Sequence, residues 1–195
     1  MISGSKSNNI IVVSGLPRSG TSMMMAMLQA GGLPLLTDNV RSPDDDNLKG
    51  YFEYERIKAL KLGDNAWMDE ACGRVVKIIS YLLFFLPDGY EYKIIFMQRR
   101  ISEILASQRQ MLIRRGENAN KTPDHEIEVI LQNHLRQVDT WLEQKTTHQA
   151  IKIDYNELLE NPQKGIQCVP QFLEVDLDLE RMLDVIDPDL YRQRE

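Results

Sequence analysis

The chain has 195 residues, with 23 Lys and Arg against 29 Asp and Glu, a net charge of -6. That balance disfavours broad nucleic-acid binding, which draws its affinity from neutralising phosphates, but leaves room for a local basic pocket around one small anion. A composition 43% hydrophobic and 27% charged is that of an ordinary globular protein and argues against extended disorder. The length favours a single domain over residues 1–195, with a flexible polar start at 1–9. The longest apolar stretch, 78–87, is too short to span a bilayer, and the start has no apolar segment of the signal-peptide kind. Cys72 and Cys168 imply no disulfide framework and fit a reducing cytoplasm. His125, His134 and His148 lack metal-ligand spacing, so no metal is expected.

Residues 10–13 form a short β-branched run that reads as a buried strand feeding the turn Ser-Gly-Leu-Pro-Arg-Ser-Gly-Thr-Ser. Residues 21–30, rich in Met, Ala and Leu and closed by Gly31-Gly32, read as a helix with a glycine stop. Residues 36–50, with Pro43 and three consecutive aspartates, are expected to be a surface loop, and 51–62 a helix. Strands are expected at 74–79 and 92–97, a helix at 101–113, and a long amphipathic helix at 125–143. A fourth strand at 150–153 precedes a helical stretch through Phe172, and 178–190 reads as helix until Pro188. Strands alternating with helices imply an α/β fold with three layers, a central parallel sheet of about four to five strands covered by helices on both faces.

The segment Gly15-Leu-Pro-Arg-Ser-Gly-Thr-Ser, between a strand and a helix, is the most informative in the chain. Its glycines let backbone wrap closely round an anion. Its amides converge on a helix N-terminus, where the dipole also favours negative charge. Thr21 and Ser22 add hydroxyl donors, and Arg18 adds a fixed charge on a planar donor fork. In the Walker A pattern a lysine precedes the Ser/Thr, and here Thr21 stands in that place, which disfavours a standard ATP or GTP hydrolase. A plain glycine turn whose hydroxyls cap the helix is the bland alternative.

This segment resembles the 5′-phosphosulfate loop of sulfotransferases, which use 3′-phosphoadenosine 5′-phosphosulfate (PAPS) and release 3′-phosphoadenosine 5′-phosphate (PAP). The resemblance implies a P-loop-like fold and a donor-binding stretch from Pro17 to Ser22. In it Arg18 contacts the transferring sulfuryl group, while Ser19, Gly20, Thr21 and Ser22 hold the 5′-phosphate. Cytosolic members often carry a tryptophan where Met23 stands. A second motif follows the 92–97 strand: Arg99 and, eight residues on, Ser107 match the family's 3′-phosphate pair, with Glu103 where an aspartate is usual. Arg100-Ile101 departs from the family's Asp/Asn-Pro at that turn. Residues 151–162 are similar to a family strand whose tyrosine touches the adenine, which implicates Tyr155. The end, around residues 185–192, also looks like that of small bacterial members.

Sulfuryl transfer to a hydroxyl or amine needs in-line positioning, charge stabilisation at the leaving phosphate, and a base within reach of the acceptor. Cytosolic relatives carry a Lys-Thr-His at the end of the second strand; the chain has Lys77-Ile78-Ile79, so that histidine is missing. Gly50-Tyr-Phe-Glu-Tyr-Glu resembles a Gly-aromatic-aromatic-Glu segment of bacterial members, which makes Glu53 the candidate base and Glu55 the second choice. Lys77 is a candidate for neutralising the leaving group or binding an acidic acceptor. Tyr81, Phe84 and Phe85 suit either an acceptor pocket or the core. A kinase-like phosphotransferase and a nucleotide-binding relative without turnover are the competing readings. The acceptor, whether small molecule, glycan or peptide, and the oligomeric state are not encoded in these motifs.

Overall fold

The computed structural model describes residues 9–38, 50–119, 121–144 and 147–187. Four strands, β1 (Asn9–Gly15), β2 (Val75–Lys77), β3 (Glu91–Gln98) and β4 (His148–Asp154), form one sheet in the order β2-β1-β3-β4. All three pairings are parallel, with Val13 opposite Lys77, Gly15 opposite Met97 and Gln98 opposite Asp154. The central strands explain the β-branched runs. Ile10 to Gly15 and Tyr92 to Met97 are buried on both faces, where continuous apolar sequence is required.

Period-two alternation sends these residues into two cores. Ile11, Val13, Ile95, Met97 and Ile153 face α1 (Thr21–Ala30) and the C-terminal helices α5 (Tyr155–Glu160), α6 (Pro162–Ile166), α7 (Cys168–Leu173) and α8 (Leu179–Asp184). Ile10, Val12, Ile94 and Phe96 face α2 (Met68–Ala71), two 3₁₀ segments at Glu55–Leu62 and Ser80–Phe85, and α4 (Asp124–Gln144). The sheet is thus the middle of three layers. A small third cluster, Leu16, Ile104, Leu105 and Leu131, joins the turn after β1 to α3 (Ile101–Arg114) and α4.

The chain moves from β1 outward to β2, then crosses back to β3 on the other side of β1. This reversal opens a crevice beyond the carboxyl ends of β1 and β3, the usual ligand site of open α/β sheets. Lys77, the turn after Gly15, Arg99 and Tyr155 all lie at or just past that edge.

Four expectations are corrected. Asn9 is not part of a flexible start, since it opens β1 and its carbonyl accepts the Gly73 N–H at 2.9 Å. Leu36 is not surface loop, because it is 5% exposed and donates its N–H to Val75 O at 2.8 Å, continuing the sheet edge. Residues 1–8 and 39–49 lie outside the described residues. The expected helix at 51–62 begins as irregular backbone and becomes a 3₁₀ segment only from Glu55. Its two buried side chains, Ile57 and Leu60, are three residues apart and eclipse on a three-residue turn, where an α-helix would offset them. The tail helix spans only Leu179–Asp184, with Asp178 accepting the Arg181 N–H as its cap, and residues 188–195 lie outside the described residues. Among the described residues no helix is long and apolar enough to cross a membrane.

α1 is the element that the rest of the site leans on, and Met24, Met25, Met27 and Leu28 bury its inner face completely. Leu28→Ala removes a fully buried side chain from that face. It is expected to cost about 2–5 kcal/mol of folding free energy, read as a lower denaturant midpoint at unchanged slope.

Candidate functional site

The turn from β1 into α1 is built from unusual backbone. Arg18 is left-handed at φ 73 and Gly20 at φ 95. The Ser19 N–H closes the turn on Leu16 O at 3.2 Å, and the first helical bond runs from the Met24 N–H to Gly20 O at 3.1 Å. The amides of Thr21, Ser22 and Met23 therefore precede the helical ladder. No side-chain hydrogen bond caps α1 and no acidic residue sits in its first turn, so the helix itself leaves the positive end of its dipole uncompensated. A Cβ on Gly20 would run into the Tyr155 ring, which fixes how closely backbone and ring approach.

Arg18 belongs to this turn, and Arg99 reaches it from the end of β3. Arg18 Nε donates to Ser107 Oγ at 2.9 Å. Arg99 Nη1 donates to the Arg18 carbonyl at 3.1 Å, and the guanidinium lies 4.6 Å from the centre of the Tyr155 ring. Arg99 Nε donates to Glu103 Oε2 at 2.8 Å, with the Arg99 side chain 8% exposed and the Glu103 side chain 0% exposed. Glu103 Oε1 also accepts from Asn156 Nδ2 at 2.7 Å. Tyr155, the first residue of α5, is buried between Arg99 and Gly20. Burial pushes its phenol above the ordinary value against the opposing pull of Arg99 and Arg18, so it stays a neutral hydroxyl.

The β2 side supplies a second cation. Lys77 Nζ bridges Ser22 Oγ at 3.1 Å and the Tyr51 carbonyl at 2.8 Å, tying the turn to the segment that carries Glu53. Next to Tyr51, Phe52 is left-handed at φ 51, a strained conformation for an aromatic residue. Glu53 follows, half-buried, with its carbonyl accepting the Asp38 N–H at 3.2 Å. Glu55 is committed elsewhere: its carboxylate pairs with Lys58 at 2.7 Å and its N–H donates to Asp38 Oδ2 at 2.5 Å.

Between the turn and β3 lies a cavity of about 80 Å³ lined by Leu16, Ser19, Met97, Gln98, Arg99, Ile104 and Leu135. Ser19 Oγ is buried there without a hydrogen-bond partner, tucked beneath Gly15. With its amide closing the turn on Leu16, Ser19 shapes the cradle more than it faces outward. Among the described residues no cluster of His, Cys, Asp and Glu is arranged to hold a metal ion.

The structure brings together most of the residues singled out from the sequence. Pro17, exposed at the turn's tip, Arg18, Ser19, Gly20, Thr21, Ser22, Lys77, Arg99, Ser107 and Tyr155 belong to one contiguous edge, while Glu55 faces Lys58. Two participants escaped the sequence reading, Asn156 and the buried state of Glu103. An asparagine one residue after a motif tyrosine carries no signal by itself. His134 was also missed: it hydrogen-bonds Ser80 Oγ through Nε2 at 2.8 Å and stacks on Tyr81 with centroids 3.8 Å apart, in the segment that follows β2. Burial lowers its pKa, so it is held neutral. Tyr81, Phe84 and Phe85 are not core residues. Each keeps 37–48% of its surface exposed, while Phe84 also meets Trp141 and His134 edge-on.

Gly20→Ala tests the cradle. It places a Cβ at positive φ and against Tyr155, and is expected to destabilise the fold by about 2–4 kcal/mol and to abolish anion binding at the turn. The check is a melting curve with and without inorganic pyrophosphate.

The family model described as "Sulfotransferase domain" matches residues 8–189. No curated protein matches the sequence significantly. Among solved structures, the sulfotransferase domain from the Synechococcus PCC 7002 olefin synthase superposes with a TM-score of 0.57 at 18% identity, covering 98% of this chain and 85% of that one. The sulfotransferase domain from the curacin biosynthetic pathway gives a TM-score of 0.52 at 15% identity, covering 94% and 79%. At these identities the likeness is one of fold. With the family model spanning nearly all of its length, the chain belongs to the sulfotransferase domain family.

Proposed function

We propose that this sulfotransferase takes its sulfuryl group from PAPS and delivers it to a hydroxyl or amine of a small-molecule, glycan or peptide acceptor. The observation that carries the reading is the meeting, at one sheet edge, of the first-turn amides of α1 with Arg18 and Arg99. Two phosphate-bearing ends of one nucleotide require two such positive sites, and a nucleotide of the PAPS type has both. The residues present fit it: an uncapped helix start beside Arg18 and Arg99, and a glycine turn packed closely against Tyr155.

When bound, the donor supplies an activated sulfuryl group on a phosphate leaving group. Gly20, Thr21 and Ser22 bind its 5′-phosphate through amides and hydroxyls, and the turn from Pro17 keeps backbone close to it. Arg18 stabilises charge at the transferring group, and Lys77, already bonded to Ser22, does so from the β2 side. Arg99 and Ser107 hold the 3′-phosphate, with Tyr155 setting the floor beneath Arg99 and abutting the adenosine. Glu53 takes the acceptor's proton on its carboxylate. The strain at Phe52 and the Lys77 bridge to Tyr51 fix the approach of that carboxylate, while the Lys58 pair makes Glu55 the weaker choice. None of these roles calls on a metal ion. Cys72 and Cys168 form no disulfide, which accords with a reducing compartment such as the cytoplasm.

Sulfur-35-labelled PAPS offered with a panel of phenols, alcohols, sugars and amines tests the proposal. Label passes to at least one acceptor, and Glu53→Gln lowers kcat about 10²–10⁴-fold with donor affinity retained. Full turnover by Glu53→Gln contradicts the base assignment. Donor binding without transfer to any acceptor favours a binding-only relative.

A further inference from the structure

Glu103 is a fully buried carboxylate with a basic residue three and another four positions before it. A buried charge is costly unless it is paired and hydrogen-bonded. Among the described residues it meets Arg99 Nε at 2.8 Å, Asn156 Nδ2 at 2.7 Å and, at 3.5 Å, Arg100 Nη1. Asn156 is itself 5% exposed, and its Oδ1 accepts the Arg100 N–H at 3.4 Å, so the amide clasps both the carboxylate and the backbone at the start of α3. Three elements, β3's end, α3 and α5, are joined through one carboxylate.

The guanidinium of Arg99 is consequently defined in three directions. Its Nε edge is held by Glu103, its Nη1 reaches the Arg18 carbonyl at 3.1 Å, and its face lies over Tyr155. Arg18 is the residue whose left-handed backbone needs holding. The chain Glu103–Arg99–Arg18 therefore connects the end of β3 to the turn after β1. A buried ion pair is weak support for fold stability, because apolar replacements often do as well. Its value here is directional.

We propose that Glu103, seconded by Asn156, is a positioning residue: it aims Arg99 so that one guanidinium serves the donor's 3′-phosphate and also latches the turn at Arg18. This rests on the donor reading given above. Neutralising Glu103 lets the Arg99 fork rotate, so recognition of the 3′-phosphate is lost before the turn itself is.

The test is a double-mutant cycle on ligand affinity, by calorimetric titration with PAP and with AMP, which lacks the 3′-phosphate. Glu103→Gln is expected to weaken PAP binding about 10-fold or more and AMP binding far less. In an Arg99→Ala background the same substitution changes PAP affinity less than about 2-fold, since the group it positions is gone. Asn156→Ala leaves the carboxylate in place and is expected to weaken PAP about 3–10-fold, again only when Arg99 is present. It carries the test if Glu103→Gln does not fold. Equal losses for PAP and AMP, or losses that persist without Arg99, identify a plain packing defect and overturn the proposal. Unchanged PAP affinity in both variants overturns it as well. Wild-type protein that does not bind PAP refutes the donor reading itself, and the proposal with it. Wild-type binding with indifferent variants refutes only the role of Glu103.

Discussion

The turn between β1 and α1 requires left-handed backbone at Arg18 and Gly20, and the surrounding structure is arranged to hold it there. Gly20 takes its conformation without strain, but Arg18 has a Cβ and does not. Its carbonyl is held by Arg99, its side chain by Ser107, and the helix that follows is anchored by four methionine and leucine side chains in the core. Tyr155 closes against Gly20 from the start of α5, at a spacing that leaves no room for a larger residue. Strain held in this way keeps the amides of α1's first turn and the Arg18 guanidinium in place before any ligand arrives, and preorganised donors are the main resource for stabilising developing charge.

Sheet order is what brings the partners together. Arg18 and Ser107 are 89 positions apart, and Arg18 and Arg99 are 81 apart. They meet because β1 and β3 are neighbours at the point where the chain reverses its direction across the sheet. β2 on the other flank places Lys77 level with Val13, close enough to bridge Ser22 and the Tyr51 carbonyl. The site is thus framed by cations on both sides of an uncapped helix start, within a chain of net charge -6. Local geometry and not overall charge makes the edge attractive to a multiply charged anion.

Much of this was legible in the sequence. The β-branched run before Gly15 reads as the buried strand it is, and the glycines bracketing Arg18 announced a close backbone turn at a helix start. The long helices are also within a residue or two of their expected limits, because their apolar periodicity is strong. The segment from Tyr51 to Leu62 was misread because its few apolar residues fit more than one period, and a burial spacing of three decided for 3₁₀ geometry. Leu36 was misread because its backbone pairing to Val75, not its composition, keeps it inside. At the site, no motif signals that Ser107 bonds Arg18, that Glu55 turns to Lys58, or that Asn156 clasps Glu103. Those outcomes depend on which elements the sheet places side by side, information that residue spacing does not contain.

Titration of the protein with PAP, AMP and ATP-Mg²⁺, repeated with Arg99→Ala, tests the pairing of two positive sites most directly. Two positive sites matched to the two ends of one nucleotide predict that PAP binds most tightly and that Arg99→Ala lowers PAP to the affinity of AMP. Stronger binding of ATP-Mg²⁺ than PAP, or PAP affinity indifferent to Arg99, would contradict it.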